Sequence, residues 1–224
     1  MLFYLLLWYG AYMQMPTQYT LTEELYHSIT HGIGVVLAIA GLAVLVLPAL
    51  QQDDAWRVVS FSIYGGSLTL LYLASTLYHS FRDEQIKLFF RHFDHLSIFL
   101  LIAGTYTPVV LICLRGIWGW TLFGLIWAVA VGGMIYELLF LGRYRWITVT
   151  IYLGMGWLAV IAVKPMITVV PLGLLWWLLA GGLFYTGGVV FYVRKQMRYH
   201  HVLWHIFVLF GSACHFLGFL FFLT

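Results

Sequence analysis

Nine histidines stand in a chain of 224 residues, and the spacing of several invites metal chemistry. The stretch Tyr199-His200-His201-Val202-Leu203-Trp204-His205 opens an apolar run reaching Thr224. On a helix, His201 and His205 stack on one face, ~6 Å apart along the axis. Two imidazoles so placed can hold two corners of a tetrahedral metal. A lone pair of this kind can equally be a juxtamembrane polar pair meeting lipid headgroups, so the other polar residues decide. Ser75 and His79 form a second pair four apart. The Ser75 hydroxyl, one turn deeper, can orient a ligand or a water, or bond back to a helix carbonyl. His79, His201 and His205 supply three nitrogens and leave a fourth position for water, the arrangement of a catalytic zinc. Zinc lowers the pKa of its water to about 7, and Asp94 is the natural group to hold that water and accept its proton.

These groups must be positioned by helices in a membrane. The chain is 63% apolar and 8% charged, against the roughly 25% charged residues of a soluble domain. That excludes a water-facing globule and, with no basic stripe, a nucleic-acid partner. The expected fold is all-α, a polytopic bundle of seven transmembrane helices over about 26–50, 57–80, 92–114, 117–140, 146–163, 171–194 and 202–223. Connections are brief, among them Phe81 to Arg91 and the region of Lys164-Pro165. Residues 22–224 form one transmembrane domain. Residues 1–21 precede it as an apolar interfacial segment, Met1 to Met15, and a polar linker from Pro16; Met13 or Met15 is an alternative start. Cys113 and Cys214 both lie in apolar runs and make no disulfide framework.

Lys and Arg counts orient the bundle. The second, fourth and sixth connections carry Arg82, Lys87, Arg91, Arg143, Arg145, Arg194, Lys195 and Arg198; the others carry only Arg57, Arg115 and Lys164. This predicts a cytoplasmic N-terminus and an outside C-terminus. Eight of the nine histidines then fall at the cytoplasmic side, where scatter over both faces would mark generic interfacial residues. A carboxylate entering the bilayer is costly and faces the interior or a partner, which singles out Asp94 ahead of Leu96 to Leu101. Glu23, Glu24, His27 and His31 open the first span, where they line or help close the mouth of the cavity. His215, about three turns deeper than His205, can hydrogen-bond inside it. His92, His95 and His200 lack ligand spacing and read as solvated interfacial residues. Gly34, Ala38 and Gly41, with the glycine pairs of the fourth and sixth spans, read as close helix packing.

Several stretches together resemble the bacterial hemolysin III family, relatives of the progestin and adipoQ receptors and of the adiponectin receptors. They are Glu23-Glu24 with Thr30-His31-Gly32-Ile33-Gly34, Ser75-Thr76-Leu77-Tyr78-His79, Phe93-Asp94-His95 leading into Ala103-Gly104-Thr105-Tyr106-Thr107-Pro108, and His201-Val202-Leu203-Trp204-His205. The resemblance covers roughly Thr22 to Leu223. It implies seven transmembrane helices with zinc near the cytoplasmic face, held by His79, His201 and His205, with Asp94 on its water and Ser75 nearby. Ligand type also favours zinc. The large cytosolic region that precedes the bundle in adiponectin receptors has no counterpart here, so nothing supports a protein hormone as ligand.

Three functions compete. The first is an intramembrane zinc hydrolase of lipid amide or ester bonds serving membrane lipid homeostasis; ceramidases are distant relatives with similar ligands. The second is the cytolytic or pore-forming role that the family name implies, although polar residues are too few to line a full pore. The third is a non-enzymatic regulator in which zinc braces helices. Membrane lipids are the partners in each, and fold alone does not choose among them. The oligomeric state is not encoded in any motif.

Overall fold

Apolar runs bounded by capping residues fold here as helices, and the caps decide where each begins. The computed structural model describes residues 19–140 and 143–224. Helix α1 is Leu21–Gln51, started by a capping box in which Thr20 and Glu23 satisfy each other's backbone N–H. Helix α2, Ala55–Ser80, is capped by Asp54, and α3, Glu84–Pro108, by Asp83, running on into a π-helical turn at Val109–Cys113. Then come α4 (Ile117–Phe140), α5 (Arg145–Gly156), a 3-10 turn (Leu158–Ala162), α6 (Val163–Val169), α7 (Leu172–Val193) and α8 (His200–Leu223).

With α5 to α6 counted together, seven of these elements are long and apolar enough to cross a membrane. The chain is an all-helical polytopic bundle. Two boundaries differ from those expected. The third span begins at Glu84 instead of 92, because Asp83 accepts hydrogen bonds from the N–H groups of Gln85 and Ile86 at 3.0 Å each. The charged residues from Glu84 to Arg91 are therefore helical turns, not a loop. The fifth span continues past Lys164-Pro165, because Pro165 falls in the first turn of α6, where its missing N–H has no helical partner to lose. The chain turns at Val170 and Pro171 instead. Leu21, expected in a linker, is already helical; the proposed interfacial segment Met1 to Met15 lies outside the described residues.

In α1 the buried residues are His27, His31, Gly34, Ala38, Gly41, Leu45 and Ala49, a single stripe at three- and four-residue spacing. Its other faces present Val36, Leu37, Ile39 and Leu47 outward, as a lipid-facing helix must. The stripe is narrow and small because α1 packs closely on α2 and α8. A Cβ on Gly34 would stand 2.6 Å from the Tyr72 ring. The same economy joins α7 to α8, where a Cβ on Gly188 would meet Phe207 at 2.8 Å and Trp204 at 2.9 Å. The stripe carries two histidines inward at its N-terminal end, beside the end of α2 and the starts of α3 and α8.

Deeper in the bundle, the Ser212 hydroxyl accepts a hydrogen bond from Tyr72 at 2.8 Å and pairs with Tyr185 at 2.8 Å, tying α2, α7 and α8 together. At the far end, Arg57 donates to the carbonyl of Leu223 at 2.7 Å while Asp54 holds it at 2.6 Å. These contacts hold the middle and the C-terminal end of α8 in register with α2.

Candidate metal centre

His79 ends α2, and α8 opens with His200 and His201 followed one turn on by His205. The entry to α8 is unusual: Tyr199 adopts a left-handed backbone, φ 58°, which is unfavourable by about 1–2 kcal/mol for a residue with a Cβ. Its N–H is accepted by Glu23 at 3.3 Å, and its ring packs edge-on to Tyr26. Glu23 thereby caps α1 and anchors the turn into α8. It is a pin between helices and lies outside the residues that line the cavity.

The turn delivers His201 and His205 onto His79. Donor atoms of the three imidazoles all lie within 4.8 Å of one another, and all three residues are buried. Ring centres are separated by 5.2 Å (His79–His201), 5.2 Å (His79–His205) and 4.6 Å (His201–His205). Imidazoles bound at ~2.0–2.1 Å to one tetrahedral ion stand about 5 Å apart between ring centres, so the spacing suits a shared metal.

Hydrogen bonds assign the ring nitrogens. The Nδ1–H of His79 donates to Glu24 Oε2 at 2.6 Å, leaving its Nε2 bare; that atom is buried without a partner. Thr30 gives its only hydroxyl hydrogen to the carbonyl of Tyr26 at 2.8 Å or of His27 at 3.0 Å. Its oxygen must then accept from His205 Nδ1, 3.2 Å away, which frees the Nε2 of His205. His201 Nδ1 is buried and unpartnered. Lone pairs of neutral imidazoles without partners in a buried cluster are what a metal requires, and a carboxylate or hydroxyl behind each ring is the usual means of fixing it. Glu24 is itself held by Lys87, whose ammonium donates to Oε1 at 2.6 Å. His31 stacks on His205 with ring centres 3.5 Å apart and planes 9° from parallel. His27, 0% exposed, has neither ring nitrogen hydrogen-bonded; its Nδ1 stands 3.7 Å from Glu24. The cluster can bind a metal ion.

Beside these rings opens a polar cavity of about 90 Å³. Ser75 and Asp94 line it together with His31, His201 and His205, and Arg91, Arg145 and Lys195 add positive charge to its walls. Desolvation lowers the readiness of Lys195, beyond the end of α7, to stay charged, and the nearby arginines act in the same sense. His95, expected to be a solvated residue, is instead engaged: its Nδ1–H donates to Glu137 at 2.7 Å, and Thr148 donates to the other Glu137 oxygen at 2.8 Å. His200 is also buried, donating from Nδ1 to the carbonyl of Phe191 at 3.0 Å. His92 donates to the carbonyl of Leu88 at 2.7 Å. His215 lies apart from the cluster. Its Nε2–H donates to the carbonyl of Leu178 at 3.2 Å, and it lines a second, apolar cavity of about 380 Å³. The two cavities share Leu71, Ile98, Tyr192, Trp204 and Val208.

Sequence spacing did not reveal Thr30, Lys87 or the His95–Glu137–Thr148 chain, whose partners lie on other helices. One signal was available for the first of these: Thr30 adjoins His31 on the helix that Glu24, His27 and His31 mark as polar on one face.

A seven-helix membrane bundle with a buried histidine cluster at one end is thus the class that fold and site define. The family model described as haemolysin-III related matches residues 19–216, and the chain belongs to that family. It is 43% identical over 204 residues to the hemolysin-3 homolog of Bacillus subtilis (strain 168), covering 91% of this chain and 96% of the relative. To hemolysin-3 of Bacillus cereus it is 43% identical over 210 residues, 94% of this chain and 95% of that one. The human monocyte to macrophage differentiation factor is 31% identical over 207 residues, 90% and 83% of the two chains. Seven spanning helices and this bacterial kinship make the chain an integral, multi-pass protein of the plasma membrane.

Proposed function

We propose that the chain is a zinc-dependent hydrolase of lipid amide or ester bonds, acting in membrane lipid homeostasis. The observation that carries this reading is the shared wall between the polar cavity and the apolar one. A chamber of about 380 Å³ falls within the ~300–1,000 Å³ of ligand sites, and its apolar lining suits an acyl chain whose polar bond would lie at Ser75 and Asp94. The N-terminus and the site face the cytoplasm and the C-terminus lies outside, as the distribution of Lys and Arg supports.

His79, His201 and His205 hold the metal. Zinc bound there supplies a Lewis acid for a carbonyl and hydroxide at neutral pH. Asp94 takes up the proton released on attack and returns it to the leaving group. The Ser75 hydroxyl, buried beside Asp94 on the cavity wall, donates to the oxygen on which negative charge develops. Glu24 and Thr30 keep His79 and His205 in the tautomer that presents Nε2. Arg91, Arg145 and Lys195 attract the polar end of the lipid. Membrane lipids are the only partners this reading needs.

The test uses purified, zinc-loaded protein in vesicles of ceramide or phospholipid, with released fatty acid measured by mass spectrometry. Wild type should turn over. Asp94→Asn should lose at least about a hundredfold in rate, the scale of a general acid–base group, while keeping about one zinc per chain. Release of no fatty acid from any lipid, in protein that holds zinc, would end the hydrolase reading. The relative named hemolysin-3 favours a second reading, lysis of membranes. An apolar central chamber argues against an aqueous pore, and dye-loaded vesicles carrying the protein should stay sealed.

A further inference from the structure

Of the cluster's histidines the proposed chemistry leaves two unused: His31, which stacks flat on the His205 ring, and His27. His27 is fully buried, and both of its nitrogens lack hydrogen-bond partners. A buried polar atom left unpaired is unfavourable by about 1–3 kcal/mol, so two on one ring call for an explanation. The ring's position supplies one. Its centre lies 4.5 Å from His79, 4.9 Å from His201 and 5.2 Å from His205. The three rings are themselves 4.6 to 5.2 Å apart. All six separations match those of four imidazoles around one tetrahedral ion, about 5 Å.

Resting on the metal reading above, we propose that His27 is a fourth nitrogen donor that closes the centre formed by His79, His201 and His205 when no substrate is bound. The ring has a second place to go. In the structure its donor atom groups with Glu24 and His79 rather than with the full triad, and Nδ1 stands 3.7 Å from Glu24 Oε2. Rotation of the side chain carries it between that carboxylate and the metal. With His27 turned to Glu24, one metal position is open to water and substrate; with it turned inward, four nitrogens enclose the ion. A separate cation at Glu24, His27 and His79 is disfavoured, because Lys87 already neutralises Glu24 and His79 needs its Nδ1–H on that carboxylate.

X-ray absorption at the zinc edge of the purified full chain, without lipid substrate, counts the bound imidazoles, and the rate at which EDTA strips zinc reports closure. The comparison is wild type against His27→Phe, which keeps an aromatic ring without nitrogens, and His27→Ala. The expected result is four imidazoles in wild type, three in both variants, and zinc lost to EDTA at least about tenfold faster from both. Three imidazoles in wild type, with unchanged stripping in the variants, would overturn the proposal. A change in His27→Ala that His27→Phe does not share would mark a packing role and overturn it equally. His201→Ala separates the two levels of the argument. If that variant keeps its zinc, or wild type holds none, the three-histidine centre itself is wrong and His27 falls with it.

Discussion

Replacing Glu24 with glutamine probes how the centre is held without touching a donor. Two hydrogen bonds of 2.6 Å converge on this carboxylate, from His79 Nδ1–H to Oε2 and from Lys87 to Oε1. An amide offers one acceptor and one NH2, so either His79 or Lys87 must face a donor in the variant. Lys87 can reach the Tyr78 carbonyl at 3.3 Å instead, but His79 has no other acceptor. Loss of an outer-sphere carboxylate weakens metal binding about 10–100-fold. That is about 1.4–2.8 kcal/mol at ~1.4 kcal/mol per tenfold, in the range of a hydrogen bond to a charged group, ~1.5–3 kcal/mol. Competition against a chelator of known zinc affinity, on protein in detergent, measures it. Lys87→Met leaves the His79–Glu24 bond in place and should stay within about threefold of wild type. If Glu24→Gln also binds zinc within about threefold of wild type while His201→Ala loses it, the carboxylate does not orient His79 and the tautomer assignment is wrong.

Two further predictions concern stability. Ser212→Ala removes the hydroxyl on which Tyr72 and Tyr185 meet; stranding buried phenols should destabilise by about 1–3 kcal/mol, read as a lower unfolding midpoint in detergent with zinc content unchanged. Asp54 caps α2 through the N–H groups of Trp56 and Arg57 at 3.0 and 3.1 Å, and Asp54→Ala should be less stable by about 0.5–2 kcal/mol. Burial pulls the Asp54 carboxyl upward, but the Arg57 N–H and guanidinium outweigh it and hold the group below the usual carboxylate range. A carboxyl so held adds stability above about pH 4, and the addition fades as acid takes the pH through its folded value. The gap between wild type and Asp54→Ala should therefore narrow in acid; a gap independent of pH would show that the charge is irrelevant.

Apolar length announced the seven spans, because in a bilayer a helix must bury its own backbone polarity. What periodicity could not show was where polar residues continue a helix beyond the apolar core. Glu84 to Arg91 looked like a loop until Asp83 was seen capping it, and Lys164-Pro165 looked like a break although the proline sits where a helix tolerates one. The site divides along the same line. His79, Ser75, His201 and His205 were legible because four-residue spacing is local geometry. His95, by contrast, meets Glu137 across 42 residues, and His205 meets Thr30 across 175. No pattern within one segment encodes such a meeting, so an engaged histidine read as a solvated one.

That 175-residue contact bears on how the protein is made. A chain enters the membrane from its N-terminal end, and the helix bearing two of the three donor imidazoles is the last of those described. Until α8 docks, His27 and His79 stand at Glu24 without the rings that complete the cluster. Contacts so distant in sequence close late. Metal capture would then coincide with the end of assembly, and a bound ion would distinguish finished molecules from those whose last helix had failed to insert.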